Sequence, residues 1–368
     1  MMVIKVMVVD DSAFVRKILT EILSEDRGID VIGAAADPIF AMRHMRRQWP
    51  DVIVLDIVMP RMDGIVFLKQ LMSDRPTPVV MCSAFTEKGA EATIRALAAG
   101  AVNFVTKPRA GLRERLPSAA GSVLHAVKEA SQARVINLSN SRPNESKCPI
   151  EVGPKLNADA ILSKPDRLTA PATERIAVVG ASTGGTRALE KVLTTLPSSC
   201  PGLAIVQHMP AKFTEAFAAR LNGICQIEVR EAVNGDRIMP GKALIAPGGK
   251  HMLVKRAFGA YYVEIVDGPP VCRHCPSVDV LFRSAAKFAG KNALGILMTG
   301  MGDDGARGLK ELYECGAQTM IQDEASCVIY GMPKEALKLG AVGTVLSLSD
   351  ISPEIMKYAG KERIWDAT

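Results

Sequence analysis

Residues 4–12 of the chain read I-K-V-M-V-V-D-D-S, a short apolar run that ends abruptly in two aspartates. A run of this length, rich in β-branched residues, is typical of a strand that is buried on both faces of a parallel sheet. Similar runs recur through the first third of the chain, with amphipathic stretches between them, at 31–35, 52–55, 79–81 and 102–105. Strands that alternate with helices in this way predict a doubly wound α/β domain.

The same alternation restarts at Arg175, after a stretch of different composition. Residues 130–174 are rich in Ser, Asn, Pro, Lys and Asp, which predicts a flexible linker. Beyond it we expect strands at 176–179, 204–206, 243–245, 293–298 and 319–321, with helices such as 187–196 and 278–288 between them. The sequence therefore predicts two doubly wound parallel-sheet domains, at 1–127 and 175–368, joined by a linker over 128–174.

The overall composition favours a globular protein without a nucleic-acid or membrane-binding role. The chain has 368 residues, of which 48% are hydrophobic, and 45 basic residues against 39 acidic ones give a net charge of +6. The basic residues are scattered and aromatics make up only 5%, so a nucleic-acid interface is not expected. The first apolar run is too short for a signal peptide or a membrane span. We expect a cytoplasmic protein with reduced thiols.

One pair of cysteines has the spacing of a metal site. Cys272 and Cys275 enclose His274 in a C-x-x-C pattern. A closed zinc site needs four ligands and usually a second such pair, so two ordinary thiols near a loop are the better interpretation.

Polar side chains follow four of the five strands predicted in the first domain. In an open α/β sheet the residues at the carboxyl ends of the strands meet in one crevice. Here they are Asp10, Asp11, Asp56, Ser83 and Lys107. Three carboxylates in one crevice repel one another unless a hard cation lies among them, and oxygen ligands of this kind suit Mg²⁺. With the ion bound, Asp56 could attack a phosphoryl group, and Lys107 and Ser83 would meet the new charge.

In the second domain, residues 179–186 read V-G-A-S-T-G-G-T and join a strand to a helix. Small residues allow a tight turn that exposes Ser182 at the helix N-terminus, where the amides favour negative charge. The glycines would also suit a phosphate-binding loop, but the lysine of that motif and the dinucleotide motif are missing. Residues 180–184 match G-x-S-x-G, which is typical of a nucleophile elbow.

A serine nucleophile needs a base, and that base needs an orienting carboxylate. His208 ends a predicted strand and is the best candidate base, with His251 as its competitor. His274 follows no predicted strand and is not a candidate. Asp303 and Asp304 both follow the strand at 293–298, and spacing does not choose between them. The chain order Ser, His, Asp differs from the Ser, Asp, His order of α/β-hydrolases.

Three segments of the first domain, V-V-D-D-S (8–12), D-I-V-M-P-R-M-D-G (56–64) and N-F-V-T-K-P (103–108), resemble the motifs of a two-component receiver domain, a flavodoxin-like fold. The resemblance implies that a CheA-type histidine kinase phosphorylates Asp56. It also implies that Asp11, Asp56 and the backbone carbonyl of Val58 contact Mg²⁺, with Asp10 acting through water. Phe104 lies where such domains carry a switch aromatic, although a core phenylalanine is an equally simple interpretation.

Four segments of the second domain, G-A-S-T-G-G (180–185), Q-H-M-P (207–210), H-x-P-S-V-D-V-L-F (274–282) and T-G-M-G-x-D-G (299–305), resemble the CheB family of chemotaxis protein-glutamate methylesterases, whose catalytic domain is Rossmann-like. The resemblance implies Ser182 as nucleophile, His208 as base and Asp304 as orienting carboxylate. It further implies the Met301 amide as oxyanion donor and Thr183 as a hydrogen-bonding group. Cys275 interrupts the third segment.

The resemblance implies that the protein hydrolyses glutamate γ-methyl esters on methyl-accepting chemoreceptors, releases methanol and also deamidates glutamines, without a cofactor for ester hydrolysis. Its control would come from the receiver, which we expect to cover the esterase crevice until Asp56 is phosphorylated. Two other interpretations remain: a non-enzymatic regulator that only binds receptor tails, and a nucleotide-binding module.

Overall fold

The structure is a computed structural model that describes residues 3–84, 86–107, 116–134, 155–164 and 174–360. The chain divides into two compact units, Met1–Ile150 and Glu151–Thr368. Each unit contains its own parallel sheet with helices packed against it, as the alternation of apolar and amphipathic stretches predicts.

The first unit contains a five-stranded parallel sheet in the order β2-β1-β3-β4-β5. Its strands are β1 (Ile4–Val9), β2 (Ile29–Ala35), β3 (Val52–Asp56), β4 (Val79–Ser83) and β5 (Asn103–Thr106). The helices are α1 (Ala13–Ser24), α2 (Pro38–Met45), α3 (Gly64–Asp74), α4 (Glu87–Ala98) and α5 (Leu116–Gln132). Each strand predicted for this domain is present, and the β1 residues 6–9 are fully buried. The doubly wound fold class is confirmed.

Side chains at the strand-to-helix turns of this unit cap the N-termini of the helices. The Ser12 hydroxyl accepts from the Val15 amide at the beginning of α1, and the Asp63 carboxylate accepts from the Ile65 amide at the beginning of α3. Such caps satisfy amides that have no partner inside the helix. They place the segments that follow β1 and β3 at the same edge of the sheet.

The second unit contains a seven-stranded parallel sheet in the order β14-β13-β12-β6-β7-β9-β8. Its strands are β6 (Ile176–Ala181), β7 (Gly202–Gln207), β8 (Glu228–Glu231), β9 (Lys242–Ile245), β12 (Ala293–Leu297), β13 (Gln318–Gln322) and β14 (Thr344–Leu346). The helices are α6 (Gly185–Leu193), α7 (Phe213–Asn222), α8 (Val278–Phe288), α9 (Ala306–Glu314), α10 (Met332–Lys338) and α11 (Ile351–Gly360). An antiparallel hairpin, β10 (His251–Ala257) with β11 (Ala260–Val266), stands outside this sheet.

The sequence did not predict β8, β14 or the hairpin. Strand β8 reads E-V-R-E and lies at one edge of the sheet, while β14 lies at the other edge and is partly exposed. Edge strands need fewer apolar residues because one side remains in water, so they give a weak signal.

Part of the expected linker is folded onto the second unit. Residues 155–164 include a short 3-10 helix, Ala158–Ala160, and Ala158 is 3% exposed against Val271 and Val280. The buried Arg283 of α8 donates to the Asp159 carboxylate and to the Leu162 carbonyl. At the other end of the expected linker, α5 continues to Gln132. The rest of the prediction, 135–154 and 165–173, lies outside the described residues.

None of the helices in the described ranges is long and apolar enough to cross a membrane. The longest of them, α5, has 17 residues and carries Lys128 and Glu129, whereas a span needs about 20 predominantly apolar residues.

Candidate active site

Ser182 lies in the tight turn between β6 and α6. Its carbonyl accepts hydrogen bonds from the Gly185 amide (2.7 Å) and the Gln207 side-chain amide (2.9 Å), and its own amide donates to the Thr299 carbonyl (3.0 Å). Gly184 has φ +81°, and a Cβ there would lie 2.5 Å from the Val328 Cβ. The turn therefore requires glycine at 184. The three hydrogen bonds fix the backbone of Ser182.

His208 is placed beside Ser182 by the pairing of β6 with β7. The register joins Ala181 to Gln207, and the His208 amide donates to the Ala181 carbonyl at 3.1 Å. Ser182 and His208 are thus the first residues after two neighbouring parallel strands, so both lie at the carboxyl edge of the sheet.

Asp304 contacts the His208 ring at the Nε2 atom. The His208 Nε2 and Asp304 Oδ2 atoms are 2.7 Å apart, and both side chains are buried. Among the residues that the structure describes, the buried His208 Nδ1 makes no hydrogen bond. A proton on Nε2, bound to the carboxylate, leaves Nδ1 with a lone pair that can accept a proton.

Four donors converge on the Asp304 carboxylate. Besides His208, these are the Ser277 hydroxyl (2.8 Å) and the amides of Val278 (2.8 Å) and Asp279 (3.0 Å), which form the N-terminus of α8. Burial alone would raise the pKa of Asp304, but the hydrogen bond and charge of His208, with further help from His274, hold it below its ordinary value. Asp304 is therefore ionised and rigidly oriented.

A second carboxyl, Asp279, lies close behind Asp304. It accepts from the Gly308 amide (2.7 Å) and from the Cys272 thiol (3.3 Å). Burial, followed by repulsion from Asp304, raises the pKa of Asp279 to about 7. The two environments push the pKa values of the neighbouring carboxyls apart, so Asp304 carries the charge and Asp279 tends to keep its proton.

The turn after β12 packs directly against Ser182. A Cβ at Gly300 would lie 2.7 Å from the Ser182 Cβ and 3.2 Å from its amide nitrogen. The Thr299 hydroxyl donates to the Thr183 carbonyl at 3.0 Å, and Thr183 is 7% exposed. The backbone around Met301, the next residue of this turn, is therefore held near the nucleophile candidate.

The structure separates the alternatives that spacing left open. His251 is fully buried, its Nδ1 accepts from the Ser277 amide (3.3 Å) and its Nε2 lies 3.0 Å from the Pro269 carbonyl, so both ring nitrogens are used. Asp303 pairs with Lys155. Of the two aspartates, Asp304 contacts His208.

Sequence reasoning missed two residues that border this site. The His274 ring stacks on the His208 ring with 3.7 Å between centroids and 5° between planes. Ser277 both caps α8 through the Val280 amide and donates to Asp304. His274 does not directly follow a strand of the sheet, so the strand-end rule does not find it. Ser277 carried a detectable signal, since serine before an apolar helix is a common N-cap.

Two side chains of the C-x-x-C segment, Cys272 and His274, have separate partners in the structure. The Cys272 thiol donates to Asp279, and His274 stacks on His208, so these side chains contact different groups.

In the first unit, the acidic residues after β1 and β3 do come together. Carboxylate oxygens of Asp10, Asp11 and Asp56 lie within 4.8 Å of one another. The Lys107 Nζ lies 2.9 Å from Asp10 Oδ2 and 2.7 Å from Asp56 Oδ2. Burial raises the pKa of Asp56 to about 6, against the lowering effect of Lys107. One ammonium does not balance three carboxylates, so this oxygen cluster fits a hard divalent cation.

The remaining residues predicted for this pocket are placed nearby. The Ser83 hydroxyl, at the end of β4, donates to the Gly89 carbonyl at 3.1 Å, and the Ser83 carbonyl accepts from the Lys107 amide. Val58 is 74% exposed, two residues after Asp56. Phe104 is half-buried on β5, which leaves both of its interpretations open.

A serine, a histidine and a carboxylate at the carboxyl edge of one α/β sheet are typical of a hydrolase, and an acidic pocket with a lysine is typical of a phosphoryl acceptor. Residues 177–355 match the family model of the CheB methylesterase, and residues 6–117 match that of the response regulator receiver domain. The chain belongs to the CheB-type protein-glutamate methylesterase/protein-glutamine glutaminase family.

Relatives in several bacteria are similar over almost the whole chain. A Chromobacterium violaceum protein named protein-glutamate methylesterase/protein-glutamine glutaminase 2 is 60% identical, over 97% of this chain and 100% of its own. A Xanthomonas campestris protein of the same name is 58% identical, over 95% and 99%. The solved catalytic domain of the Thermotoga maritima CheB methylesterase is 32% identical and covers 50% of this chain and 98% of its own, with a TM-score of 0.49.

Proposed function

We propose that the protein is a phosphorylation-activated methylesterase and glutaminase of chemoreceptors. It hydrolyses glutamate γ-methyl esters on methyl-accepting chemotaxis proteins, releases methanol, and deamidates receptor glutamines, as part of adaptation in chemotaxis-type signalling. Its relatives' names and its two family matches support this assignment. The observation that carries it is the hydrogen bond between His208 Nε2 and Asp304, which leaves Nδ1 without a hydrogen bond among the described residues, after the strand next to the one that Ser182 follows.

In this proposal the catalytic domain, 175–368, performs acyl transfer. The Ser182 hydroxyl attacks the ester carbonyl while His208 Nδ1 takes its proton, and Asp304 stabilises the imidazolium. His208 then gives the proton to the leaving methoxide, and methanol departs. Water, deprotonated by His208, attacks the acyl-enzyme and releases the glutamate carboxylate. With a glutamine substrate the same proton would go to leaving ammonia.

The oxyanion of the tetrahedral intermediate needs donors that are already in place. We assign this role to the Met301 backbone amide, because the preceding residue, Gly300, packs against Ser182. We assign Thr183 a hydrogen-bonding role at the site, since its backbone is fixed by Thr299. No metal or cofactor takes part in the proposed hydrolysis.

The receiver domain, 1–127, would accept a phosphoryl group on Asp56. Mg²⁺ would be held by Asp11, Asp56 and the Val58 carbonyl. Asp10 would contact the ion through a water molecule. Bound Mg²⁺ would offset the charges of the carboxylates and of the phosphoryl group. Lys107, which lies 2.7 Å from Asp56, and Ser83 would contact the phosphorylated side chain. The donor would be a CheA-type histidine kinase in the cytoplasm.

Methanol release from membranes that carry methylated chemoreceptors tests the proposal. The full-length protein is compared with and without Mg²⁺ and a small-molecule phosphodonor. We expect release that increases with phosphodonor, is lost in Ser182→Ala, and no longer responds to phosphodonor in Asp56→Asn. A phosphorylated wild-type protein that releases no methanol would contradict the proposed activity and favour a non-enzymatic regulator.

A further inference from the structure

His208 needs more than one contact to keep its ring in a fixed plane. Its Nε2 is bound to Asp304, and its Nδ1 makes no hydrogen bond within the described residues. A single hydrogen bond restrains the position of one nitrogen but leaves rotation about the side-chain bonds soft, because the last torsion of histidine has broad minima. The stacked ring of His274, parallel to within 5°, covers one face of the imidazole and opposes this rotation.

The segment that carries His274 is held tightly. Val271 and His274 exchange two backbone hydrogen bonds, of 3.0 and 2.8 Å, across a two-residue turn. Both turn residues, Cys272 and Arg273, have positive φ, at 50° and 72°. Residues other than glycine adopt this conformation at a cost, and such turns persist only where the surroundings hold them.

Contacts on the other side of the turn provide that support. The Cys272 amide donates to the Leu156 carbonyl at 2.9 Å, and the Cys272 thiol donates to Asp279. The same Asp279 accepts from the Gly308 amide of α9. His274 therefore projects from a backbone that is fixed relative to Asp304 and to the catalytic sheet.

We propose that His274 is a positioning residue for His208. Its ring face holds the imidazole in one plane, with Nε2 on Asp304 and Nδ1 left open to take a proton. Parallel rings with centroids 3.7 Å apart are in van der Waals contact, so the His208 ring cannot rotate out of its plane on that side without a clash. This inference rests on the proposed esterase function, because it assigns His274 a role in the same reaction.

Four variants of the full-length protein distinguish the effect of the flat ring at position 274 from the effect of side-chain volume. His274→Ala removes the ring, His274→Leu fills the space without a π face, and His274→Phe keeps a flat face without nitrogen atoms. Arg273→Gly is the matched control, since glycine accepts the positive φ and Arg273 is exposed. Each is activated with phosphodonor and Mg²⁺, and kcat and KM are measured by methanol release from methylated receptor membranes.

We expect His274→Ala and His274→Leu to lose about tenfold in kcat with KM almost unchanged, and His274→Phe to recover most of that loss. Arg273→Gly should keep the wild-type kcat. Melting temperatures of the variants identify any protein that is not folded. The leucine variant keeps the comparison valid if the alanine variant unfolds.

Two results would overturn the inference while the esterase proposal stands. One is a wild-type kcat in the folded leucine or alanine variant. The other is a phenylalanine variant that is folded and as slow as the leucine variant, because the ring nitrogens and not the face would then matter. A wild-type protein without methanol release would instead contradict the proposed function itself.

Discussion

His208 contacts Asp304 through Nε2, at 2.7 Å, and not through Nδ1. In the serine-protease arrangement the carboxylate binds Nδ1 and the serine lies at Nε2. Here the carboxylate takes Nε2 instead, which leaves Nδ1 as the ring nitrogen without a hydrogen bond among the described residues. This difference follows from topology: His208 ends β7 beside Ser182, while Asp304 reaches the ring from the turn before α9. The same three residue types therefore form the site with the opposite ring orientation.

Asp304→Asn should abolish most of the esterase activity. Four donors point at the two oxygens of this carboxylate. The asparagine side chain replaces one of these oxygens with an NH₂ group, which is itself a donor. At least one buried donor would then face another donor and lose its hydrogen bond. The Nε2–H tautomer of His208 would also lose its acceptor. By analogy with the corresponding protease substitution we expect a loss of about 10⁴ in kcat, measured by methanol release with phosphodonor present.

Asp303→Asn is the matched control for this substitution. The neighbouring aspartate pairs with Lys155 at the surface and does not contact His208. Its esterase activity should stay within about twofold of wild type, because an exposed ion pair contributes little. Equal losses in the two variants would contradict the assignment of Asp304 as the orienting group.

The residues that end the central strands were predictable because their strands are buried and strongly apolar. Ser182, His208 and Asp304 each follow such a strand, and the carboxyl edge of a parallel sheet brings them together. The same rule placed Asp10 and Asp56 in the first unit. Residue spacing alone did not choose Asp304 over Asp303, because that choice depends on the path of a glycine-rich turn.

His274 was not predictable from strand ends, because a turn outside the sheet carries it. Its position depends on two residues with positive φ, neither of which is glycine, and on long-range contacts to Leu156 and Asp279. The folded part of the expected linker was missed for a related reason. Its polar composition is typical of a linker, while its attachment depends on one buried partner, Arg283.

Gly300→Ala should impair catalysis through the position of Ser182. The new Cβ would lie 2.3 Å from the Met332 sulfur and 2.7 Å from the Ser182 Cβ, so the nucleophile or its turn must move. We expect a destabilisation of about 1–3 kcal/mol, measured by calorimetry. We also expect a loss of about 100-fold in kcat, measured by methanol release.

Gly302→Ala, in the same turn, provides the comparison for Gly300→Ala. Nothing lies within 4 Å of a Cβ at that position, but its φ of +87° strains an alanine. It should be destabilised by about 1–2 kcal/mol and keep far more of its kcat than Gly300→Ala. Similar kcat values in the two variants would show that backbone strain in the turn, and not contact with Ser182, causes the loss of activity.

The stability of the second unit should depend on the charge of Asp279. Its pKa is raised from 3.8 to about 7 in the folded protein. Between these values the folded state binds more protons than the unfolded state, so this group's contribution to stability falls as pH rises through that window. Asp279→Asn stays neutral and avoids this loss. Its melting temperature relative to wild type should increase between about pH 5 and about pH 8.

Asp267→Asn serves as the control for the pH dependence of Asp279→Asn. The Asp267 side chain is 85% exposed, and its only described ion pair is with Lys250 at 3.6 Å. Its melting temperature relative to wild type should not change with pH. Scanning calorimetry of both variants at the two pH values makes the comparison. A flat difference for Asp279→Asn would mean that this carboxyl is ionised throughout.

Arg283→Met should release residues 155–164 from the second unit. Arg283 is 4% exposed, and its guanidinium pairs with Glu311, Asp159 and the Leu162 carbonyl, so its loss leaves Glu311 without its buried cation. We expect a destabilisation of about 3–5 kcal/mol, with faster hydrogen exchange across 155–164 by mass spectrometry. Lys287→Met, which removes only a surface bond to Ser163, should leave that exchange unchanged. If both variants exchange alike, Arg283 is not what holds the segment.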